Sequence, residues 1–402
     1  MKYVVILGDG MADYPIDKLG GKTPLDMACK PNIDALCKAG ELGLVKTVPD
    51  TLKPGSDVAN LAVMGYDPLV CYTGRSPLEA LNMGIVMADD DVAVRCNLVT
   101  LSGEGEYEDK TMLDYSAGEI GTAEARELIE YIQSQLGNES RFFKAGVSYR
   151  HCMILHRAAV GTQYTPPHDI SDKPIKGHLP KGLYGDEMLA LMRKSYELLS
   201  KHPINKRREA MGKRPANSIW LWGEGTRPAL EPFESRWGLK GGVISAVDLV
   251  QGIGRGAGMR VIEVEGATGT YETNFAGKAK AAIDALKSGL DYIYVHMEAP
   301  DECGHQGDIE HKILSIELID NIVVKYIKEE LDKSGEDYAI LIAPDHPTPI
   351  ALKTHVSDPV PFVIYRKGDC SEGNSYNESN ACSSGIFYKS GEELAKHFLQ
   401  GR

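Results

Sequence analysis

The chain has 402 residues and a formal net charge of −13, from 57 acidic and 44 basic side chains. Its length favours two domains, or one domain with a large insertion, and its negative balance without a dense basic run argues against a nucleic-acid partner. Apolar stretches are too short to cross a bilayer, no signal-peptide pattern is visible, and the eight cysteines lack a CxxC pair, so we expect a cytoplasmic protein with reduced thiols and no membrane contact.

The first predicted element is a strand over residues 3–7, a continuous apolar run typical of a strand buried on both faces. It leads into Gly8-Asp9-Gly10. The small neighbours allow a sharp backbone turn, which lets the Asp9 carboxylate face the open end of a sheet. Asp-Gly is also a common turn dipeptide, so the interpretation depends on what else lies at that edge.

The next segment of interest is Pro54-Gly55-Ser56-Asp57, which precedes a helix-like run. Ser56 is either a helix N-cap or a nucleophile at a helix N-terminus. A serine hydroxyl is a poor nucleophile unless a base or a metal deprotonates it, and a metal held by Asp9, Asp345 and His346 would do so.

The middle of the chain is richer in turns and charge. We predict strands over residues 92–101, 150–155 and 218–222, helices over 122–136 and 185–200, and a long polar loop over 164–180. This pattern predicts a second α/β domain at residues 89–237, inserted into a first domain formed by residues 1–88 and 238–402.

The C-terminal third alternates apolar runs with helical patterns. Strands are predicted over residues 291–295, 338–342 and 361–365, and helices over 276–286 and 312–331. Strand alternating with helix indicates an α/β domain with a mostly parallel sheet. Ligands bind beyond the carboxyl ends of the strands in such sheets.

Acidic and imidazole side chains cluster at these strand ends. Asp301 and His305 are four residues apart, Asp345 and His346 directly follow a strand, and His355 lies nine residues further on. Divalent metals such as Zn and Mn accept carboxylate and neutral imidazole together. Polar surface loops accumulate such residues by chance, but the set as a whole predicts a metal site.

Six segments carry a family resemblance, and they lie at residues 7–13, 54–60, 72–80, 299–308, 344–349 and 354–361. Over nearly its whole length the chain resembles the cofactor-independent phosphoglycerate mutases of the shorter archaeal-type branch, within the alkaline phosphatase superfamily. The resemblance implies an alkaline-phosphatase-like α/β fold, in which helices sandwich a mostly parallel sheet and a second domain is inserted.

The resemblance also implies a site for two divalent ions, with Mn, Zn, Co and Mg all compatible with the ligands. One ion would be bound by Asp301, His305 and His355, and the other by Asp9, Ser56, Asp345 and His346. Ser56 would be transiently phosphorylated.

A small phosphorylated substrate needs cationic groups, and the planar fork of arginine pairs with carboxylate or phosphate. The candidate substrate-binding residues are Arg75, Arg95, Asn97, Arg150, His151, Arg227 and Lys278. Lys278 could reach the transferring phosphoryl group, but its pattern favours the interpretation of a helix-surface lysine.

The implied reaction interconverts 3-phosphoglycerate and 2-phosphoglycerate through phosphoserine, independently of 2,3-bisphosphoglycerate. Two alternatives stay open at this point. One is another metal-dependent phosphotransferase or phosphatase of the superfamily, such as a homoserine kinase-like enzyme, although the sequence lacks a P-loop motif. The other is a non-catalytic metal-binding relative.

Overall fold

A computed structural model describes residues 1–103 and 105–401. The chain forms two compact units, one from Met1–Tyr72 together with the chain from Ala229 onward, and the other from Thr73–Pro228. The strands are β1 (Lys2–Gly8), β2 (Glu41–Val45), β3 (Val92–Leu101), β4 (Met112–Asp114), β5 (Arg141–Lys144), β6 (Arg150–Leu155), β7 (Thr162–Gln163), β8 (Lys181–Gly182), β9 (Ser218–Thr226), β10 (Gly241–Ile244), β11 (Arg260–Val261), β12 (Tyr292–Met297), β13 (Tyr338–Ala343), β14 (Val360–Arg366) and β15 (Phe387–Tyr388).

Helices connect most of these strands. The helices are α1 (Pro24–Met27), α2 (Pro31–Ala39), α3 (Ser56–Val63), α4 (Pro68–Cys71), α5 (Arg75–Asn82), α6 (Thr122–Leu136), α7 (Gly185–Leu199), α8 (Pro203–Ala210), α9 (Phe233–Trp237), α10 (Asp248–Gly256), α11 (Phe275–Lys287), α12 (Ala299–Gln306), α13 (Ile309–Leu318), α14 (Lys325–Ser334), α15 (Glu378–Ser383) and α16 (Gly391–Gln400). Within the described ranges, no helix is long and apolar enough to span a membrane.

The first unit is built on an eight-stranded sheet with the order β11-β10-β12-β1-β13-β14-β2-β15. Neighbouring strands are parallel except around β14, which runs antiparallel to both β13 and β2. The expected α/β class with a mostly parallel sheet is confirmed. Leu7 of β1 pairs with His296 of β12 and with Ala343 of β13, so these three strands end at one edge.

Helices cover both faces of this sheet. Val4 and Ile6 of β1 belong to one buried cluster with Ala282 of α11 and Ile316 of α13. On the other face, the ring of Tyr3 meets Phe398 of α16 edge-on, with centroids 5.5 Å apart. Burial on both faces explains the continuous apolar sequence of the central strands.

The second unit contains an antiparallel sheet in which β3 is central. The order is β4-β3-β6-β5, with β9 pairing with β3 as well. Helices α6 and α7 cover this sheet through side chains such as Leu128 and Met192, which share a core with Val94 and Leu98. The unit therefore mixes helices and strands as expected, but its main sheet has no parallel pair among the described residues.

The second unit begins and ends earlier than the expected 89–237 insertion. Helix α5 belongs to it because Ala80 packs against Ala93 of β3 and Ile154 of β6. Helix α9 belongs to the first unit because the ring of Phe233 packs on Tyr292 of β12, with centroids 4.6 Å apart.

The helix predicted over residues 312–331 is interrupted. A π-helical stretch, Ile319–Val324, separates α13 from α14. Within it the buried carboxylate of Asp320 accepts a hydrogen bond from Ile33 N at 2.6 Å and another from Asn32 Nδ2 at 2.7 Å. Both donors lie in the first turn of α2, whose N-cap residue Lys30 provides no side-chain cap. Asp320 thus satisfies a backbone N–H that the helix itself leaves unpaired.

Candidate functional site

The turn after β1 places Asp9 at the edge where β12 and β13 also end. The Asp9 N–H donates to Met297 O at 2.9 Å, which continues the parallel ladder. Gly10 follows with φ = 62°, and a Cβ atom there would lie 2.7 Å from both the Cα and the Oδ1 atoms of Asp301. Only glycine allows this close approach of the backbone to a second acidic residue.

Asp345 follows β13 and is fixed on both of its carboxylate oxygens. Its Oδ1 accepts from Gly10 N at 3.2 Å and from His346 N at 2.8 Å. Its Oδ2 accepts from Asn60 Nδ2 at 2.9 Å, and Asn60 Oδ1 accepts from Tyr294 OH at 2.7 Å. The acid is therefore held in one orientation by groups from three elements.

Ser56 is the first residue of α3, and its hydroxyl lies among these side chains. Ser56 Oγ is 3.2 Å from His346 Nε2 and 3.4 Å from Asp9 Oδ2. The N-cap position belongs to Gly55, so Ser56 does not serve as the N-cap. The N-terminal end of the helix carries partial positive charge, which favours an anionic group at this hydroxyl.

A second set of ligand types lies on α12 and on the loop before β14. One turn of α12 separates Asp301 from His305, and His305 Nε2 lies 3.3 Å from Asp301 Oδ2. His355 Nε2 lies 3.3 Å from Asp301 Oδ1 and 2.8 Å from His305 Nε2. The rings of His346 and His355 are tilted against each other with centroids 4.0 Å apart, so the two sets are contiguous.

The residues fit divalent cations. Ligand atoms of Asp9, Asp345 and His346 lie within 4.8 Å of one another, as do those of Asp301, His346 and His355. Among the residues the structure describes, the buried Oδ1 of Asp9 has no hydrogen-bond partner. Burial, together with the charges of Asp345 and Asp301, raises the pKa of Asp9 well above its usual range. Several buried carboxylates at one point repel one another, and a cation relieves that repulsion.

The second set (Asp301, His305 and His355), which we call the outer set, shows electrostatics opposite to those of the inner set (Asp9, Asp345 and His346). Burial alone would raise the pKa of Asp301, but hydrogen bonds from His305 and His355 lower it well below the usual range. The hydrogen bond to Asp301 correspondingly raises the pKa of His305 to about 9.

Two residues of this site, His296 and Thr348, were not identified from the sequence. His296, the fifth residue of β12, is fully buried, and its Nε2 lies 3.1 Å from Asp9 Oδ2. Thr348 Oγ1 donates to Asp301 Oδ1 and lies 3.3 Å from His346 Nδ1. The only signal for His296 was its place at the end of an apolar strand, as for Asp9.

Lys278 belongs to the surroundings of this site. It is fully buried on α11, and its Nζ donates to His296 O at 3.1 Å. Burial lowers the pKa of Lys278 to about 8. The interpretation of Lys278 as a helix-surface lysine is therefore wrong.

The second unit carries a cavity of about 200 Å³ that gathers most of the other candidates. It is lined by Arg75, Glu79, Arg95, Asn97, Tyr115, Tyr149, Arg150, His151, His168 and Trp222. The guanidinium of Arg95 lies over the Trp222 ring, 4.3 Å from its centroid, and Trp222 Nε1 donates to Asn97 Oδ1 at 2.9 Å. Three arginines beside one glutamate give this cavity an excess of positive charge.

His151 borders the cavity, but its ring lies on the other side of the sheet. His151 pairs with Cys96 across β3 and β6, whereas its neighbour Arg150 pairs with Asn97. Because successive side chains alternate between faces, the imidazole lies opposite the Asn97 side chain. Its Nδ1 accepts from Gly146 N at 3.1 Å, and burial lowers the pKa of His151 to about 3.

Arg227 is not among the lining residues. Its Nη1 donates to Asp89 Oδ1 at 2.8 Å, and both side chains are largely exposed. The structure thus brings Arg75, Arg95, Asn97 and Arg150 together and leaves Arg227 in a surface ion pair.

Comparisons with known proteins agree with one another. The sequence profile described as 2,3-bisphosphoglycerate-independent phosphoglycerate mutase matches residues 37–205. The protein of that name from Methanosarcina barkeri is 52% identical over 384 residues, which cover 95% of both chains. The protein of that name from Methanothrix thermoacetophila is 48% identical over 402 residues and the full length of both chains.

Two solved structures match the whole chain. A protein from Pyrococcus horikoshii is 30% identical with a TM-score of 0.81, and the alignment covers 100% of this chain and 98% of that one. The cofactor-independent phosphoglycerate mutase from Thermoplasma acidophilum is 25% identical with a TM-score of 0.70, covering 100% and 99%.

Proposed function

Because the chain belongs to the family of 2,3-bisphosphoglycerate-independent phosphoglycerate mutases, we propose that it interconverts 3-phosphoglycerate and 2-phosphoglycerate through a phosphoserine at Ser56. The observation that carries the proposal is the position of the Ser56 hydroxyl. It lies at the start of α3, within 3.4 Å of Asp9 and 3.2 Å of His346, in a site rich in buried carboxylates. The two relatives named above and the Thermoplasma acidophilum structure carry the name of this activity, which supports the proposal.

The proposed centre holds two divalent ions. One ligand set combines Asp301, His305 and His355, and the other combines Asp9, Ser56, Asp345 and His346. The geometry also allows His346 to serve the first set. When bound, such ions stabilise negative charge on the attacking and leaving oxygens of a phosphoryl transfer.

The chain's own groups then account for the transfer. Ser56 Oγ attacks the phosphorus of 3-phosphoglycerate, the bond from phosphorus to the substrate's 3-oxygen breaks, and the serine proton ends on that oxygen. The 2-hydroxyl of the resulting glycerate attacks the phosphorus of the phosphoserine, the bond from phosphorus to Ser56 Oγ breaks, and the hydroxyl proton returns to Ser56 Oγ. The N-terminus of α3 favours the anionic groups at this position in both steps.

The cavity of the second unit is proposed to hold an anionic group of the substrate. Arg75, Arg95 and Arg150 supply charged donors, and Asn97 lies beside them. A mutase has to retain glycerate between the two steps, whereas a phosphatase does not. Loss of Arg95 or Arg150 is therefore expected to weaken substrate binding and to divert phosphoryl groups to water.

The test supplies the Mn-loaded protein with 3-phosphoglycerate and no 2,3-bisphosphoglycerate. The formation of 2-phosphoglycerate is followed with enolase, free phosphate is followed in parallel, and the phosphoserine is sought by intact mass. We expect 2-phosphoglycerate with little phosphate release. If phosphate release outpaces 2-phosphoglycerate formation, the chain is a phosphatase or uses another acceptor. A panel of phosphate esters, together with a separate assay of homoserine with ATP, then identifies the reaction.

A further inference from the structure

The cationic cavity of the second unit contains one acidic side chain that the proposed reaction does not use. Glu79 lies on α5, and its side chain is only 15% exposed. Burial alone would raise the pKa of Glu79, but the charge and hydrogen bonds of Arg95 lower it below its usual value. The cavity therefore contains an ionised carboxylate in the place where it is expected to receive an anion.

Glu79 holds Arg95 along one edge of its guanidinium. Arg95 Nε donates to Glu79 Oε2 at 2.9 Å, and Arg95 Nη2 donates to Glu79 Oε1. This arrangement is bidentate, the most directional pairing of arginine with a carboxylate. It uses two of the five guanidinium N–H groups and leaves three for another acceptor.

The flat face of the same guanidinium is held as well. Arg95 lies over Trp222 at 4.3 Å from the ring centroid, and the indole N–H is bonded to Asn97. Contacts at one edge and on one face leave Arg95 little rotamer freedom. Arg75 differs, because its side chain is 51% exposed and its Nε reaches Glu79 Oε1 at 3.3 Å.

We propose that Glu79 is a positioning residue for the substrate anion, acting by fixing the guanidinium of Arg95 in the orientation that binds it. This inference rests on the proposed function, since it takes the cavity as the substrate-binding site. The affinity for the substrate is higher because Arg95 is already ordered before the substrate binds. A preorganised donor loses less conformational entropy on binding.

The proposal and simple electrostatics predict opposite signs. Glu79→Gln removes a negative charge from an anion-binding cavity, and Coulomb attraction alone then predicts tighter binding. If Glu79 positions Arg95, the same substitution weakens binding. The sign of the change therefore separates the two explanations without reference to its size.

The experiment measures the Kd of 3-phosphoglycerate by calorimetry on Mn-loaded protein carrying Ser56→Ala, which prevents turnover. Glu79→Gln, Arg95→Gln and the double substitution are compared in that background. Glu124→Gln is the matched control, because Glu124 forms a similar pair with Arg208 in the same unit, at 2.7 Å, away from the cavity. Melting temperatures of all variants show that each protein folds.

We expect Glu79→Gln to raise the Kd about tenfold, the value of one ordered charged hydrogen bond. In the Arg95→Gln background the same substitution is expected to have no further effect, since the residue through which Glu79 acts is gone. A merely structural role would weaken binding equally in both backgrounds. The Glu124→Gln control is expected to leave the Kd unchanged.

Three outcomes would overturn the inference. They are unchanged or tighter binding in Glu79→Gln, equal weakening with and without Arg95, and an Arg95→Gln protein that binds 3-phosphoglycerate normally. The last outcome would also remove the cavity from the proposed function. Conversely, the Kd values could follow the expected pattern while the protein with Ser56 intact forms no 2-phosphoglycerate. That result would refute the proposed reaction and leave the role of Glu79 standing.

Discussion

At the scale of single residues, the Ser56 side chain contributes little to folding. Gly55 occupies the N-cap of α3, and within the described part of the chain the hydrogen bonds of the Ser56 hydroxyl go to Asp9 and His346 of the site. We therefore expect Ser56→Ala to lower turnover by several orders of magnitude while changing the free energy of unfolding by less than about 0.5 kcal/mol. Enolase-coupled kinetics and urea unfolding check the two parts.

Ser390 offers the converse control. It is the N-cap of α16, and its hydroxyl accepts from Glu393 N at 3.1 Å. Ser390→Ala should lower stability by about 1 kcal/mol and leave turnover intact. Retention of more than a few per cent of turnover in Ser56→Ala would exclude Ser56 as the phosphoryl carrier.

His151 makes stability depend on pH. Its pKa falls from an ordinary 6.5 to about 3 in the folded state because the ring is buried. Between those values the unfolded chain binds more protons, so lowering the pH favours unfolding. Relative to pH 7, the residue is expected to remove about 2 kcal/mol of stability at pH 5.

The measurement is urea unfolding of the wild type and of His151→Gln at pH 7 and pH 5. Gln does not titrate, so the variant should lose about 2 kcal/mol less than the wild type between the two values. Comparing the differences cancels the titration of the other histidines. Equal losses in both proteins would show that His151 is protonated in the folded state.

Side-chain chemistry explains which site residues the sequence revealed. Asp345 and His346 stand out because a carboxylate and an imidazole directly follow an apolar strand. His296 does not, because it lies inside an apolar strand that looks like ordinary core. Glu79 is four residues after Arg75 on a helix, a spacing typical of a surface ion pair, so its role in a cavity appears only in the fold.

At the scale of elements, the π-helical stretch Ile319–Val324 is hydrogen-bonded to the start of α2 through the carboxylate of Asp320. Asp320 supplies a hydrogen bond that α2 lacks at its own N-terminus. Asp320→Ala leaves that N–H buried and unpaired, so we expect a loss of about 1–3 kcal/mol in urea unfolding. Glu329→Ala, on an exposed position of α14, should change stability by less than about 0.5 kcal/mol. Equal effects of the two substitutions would contradict the capping role.

Periodicity predicted the long strands of both sheets and several long helices, but it could not place this interruption. The helical pattern continues through residues 312–331, and a π turn only changes which residue faces inward. The antiparallel direction of β14 could not be predicted from the sequence either. An antiparallel strand buried on both faces has the same apolar sequence as a parallel one.

At the scale of the whole molecule, residues 73–228 should fold without the rest of the chain. They have their own core, including Leu128, Met192 and Trp220. Their ends are close, because Thr73 Oγ1 donates to Thr226 O at 2.5 Å. We expect the excised segment to unfold cooperatively in a circular dichroism melt.

A segment with the boundaries expected from the sequence, 89–237, is the comparison. It lacks α5 and so exposes the surface on which Ala80 packs. It should melt at a lower temperature or aggregate, since buried apolar surface is lost. If it is as stable as the 73–228 segment, α5 is not part of the second folding unit. The pattern of strands, helices and turns predicted an insertion, whereas the limits of a folding unit depend on packing that sequence patterns do not report.

The two ligand sets differ in their access to water, and this difference has a kinetic consequence. The side chains of His305 and His355 are 36% and 22% exposed, whereas Asp345 and His346 are fully buried. An ion on the outer set should therefore exchange with the medium quickly, and one on the inner set only when the protein opens locally. We expect a chelator to strip Mn in two phases, and a single phase would contradict this. The metal at the outer position would then change with the cations available in the medium, whereas the inner position would retain the cation that it bound earlier.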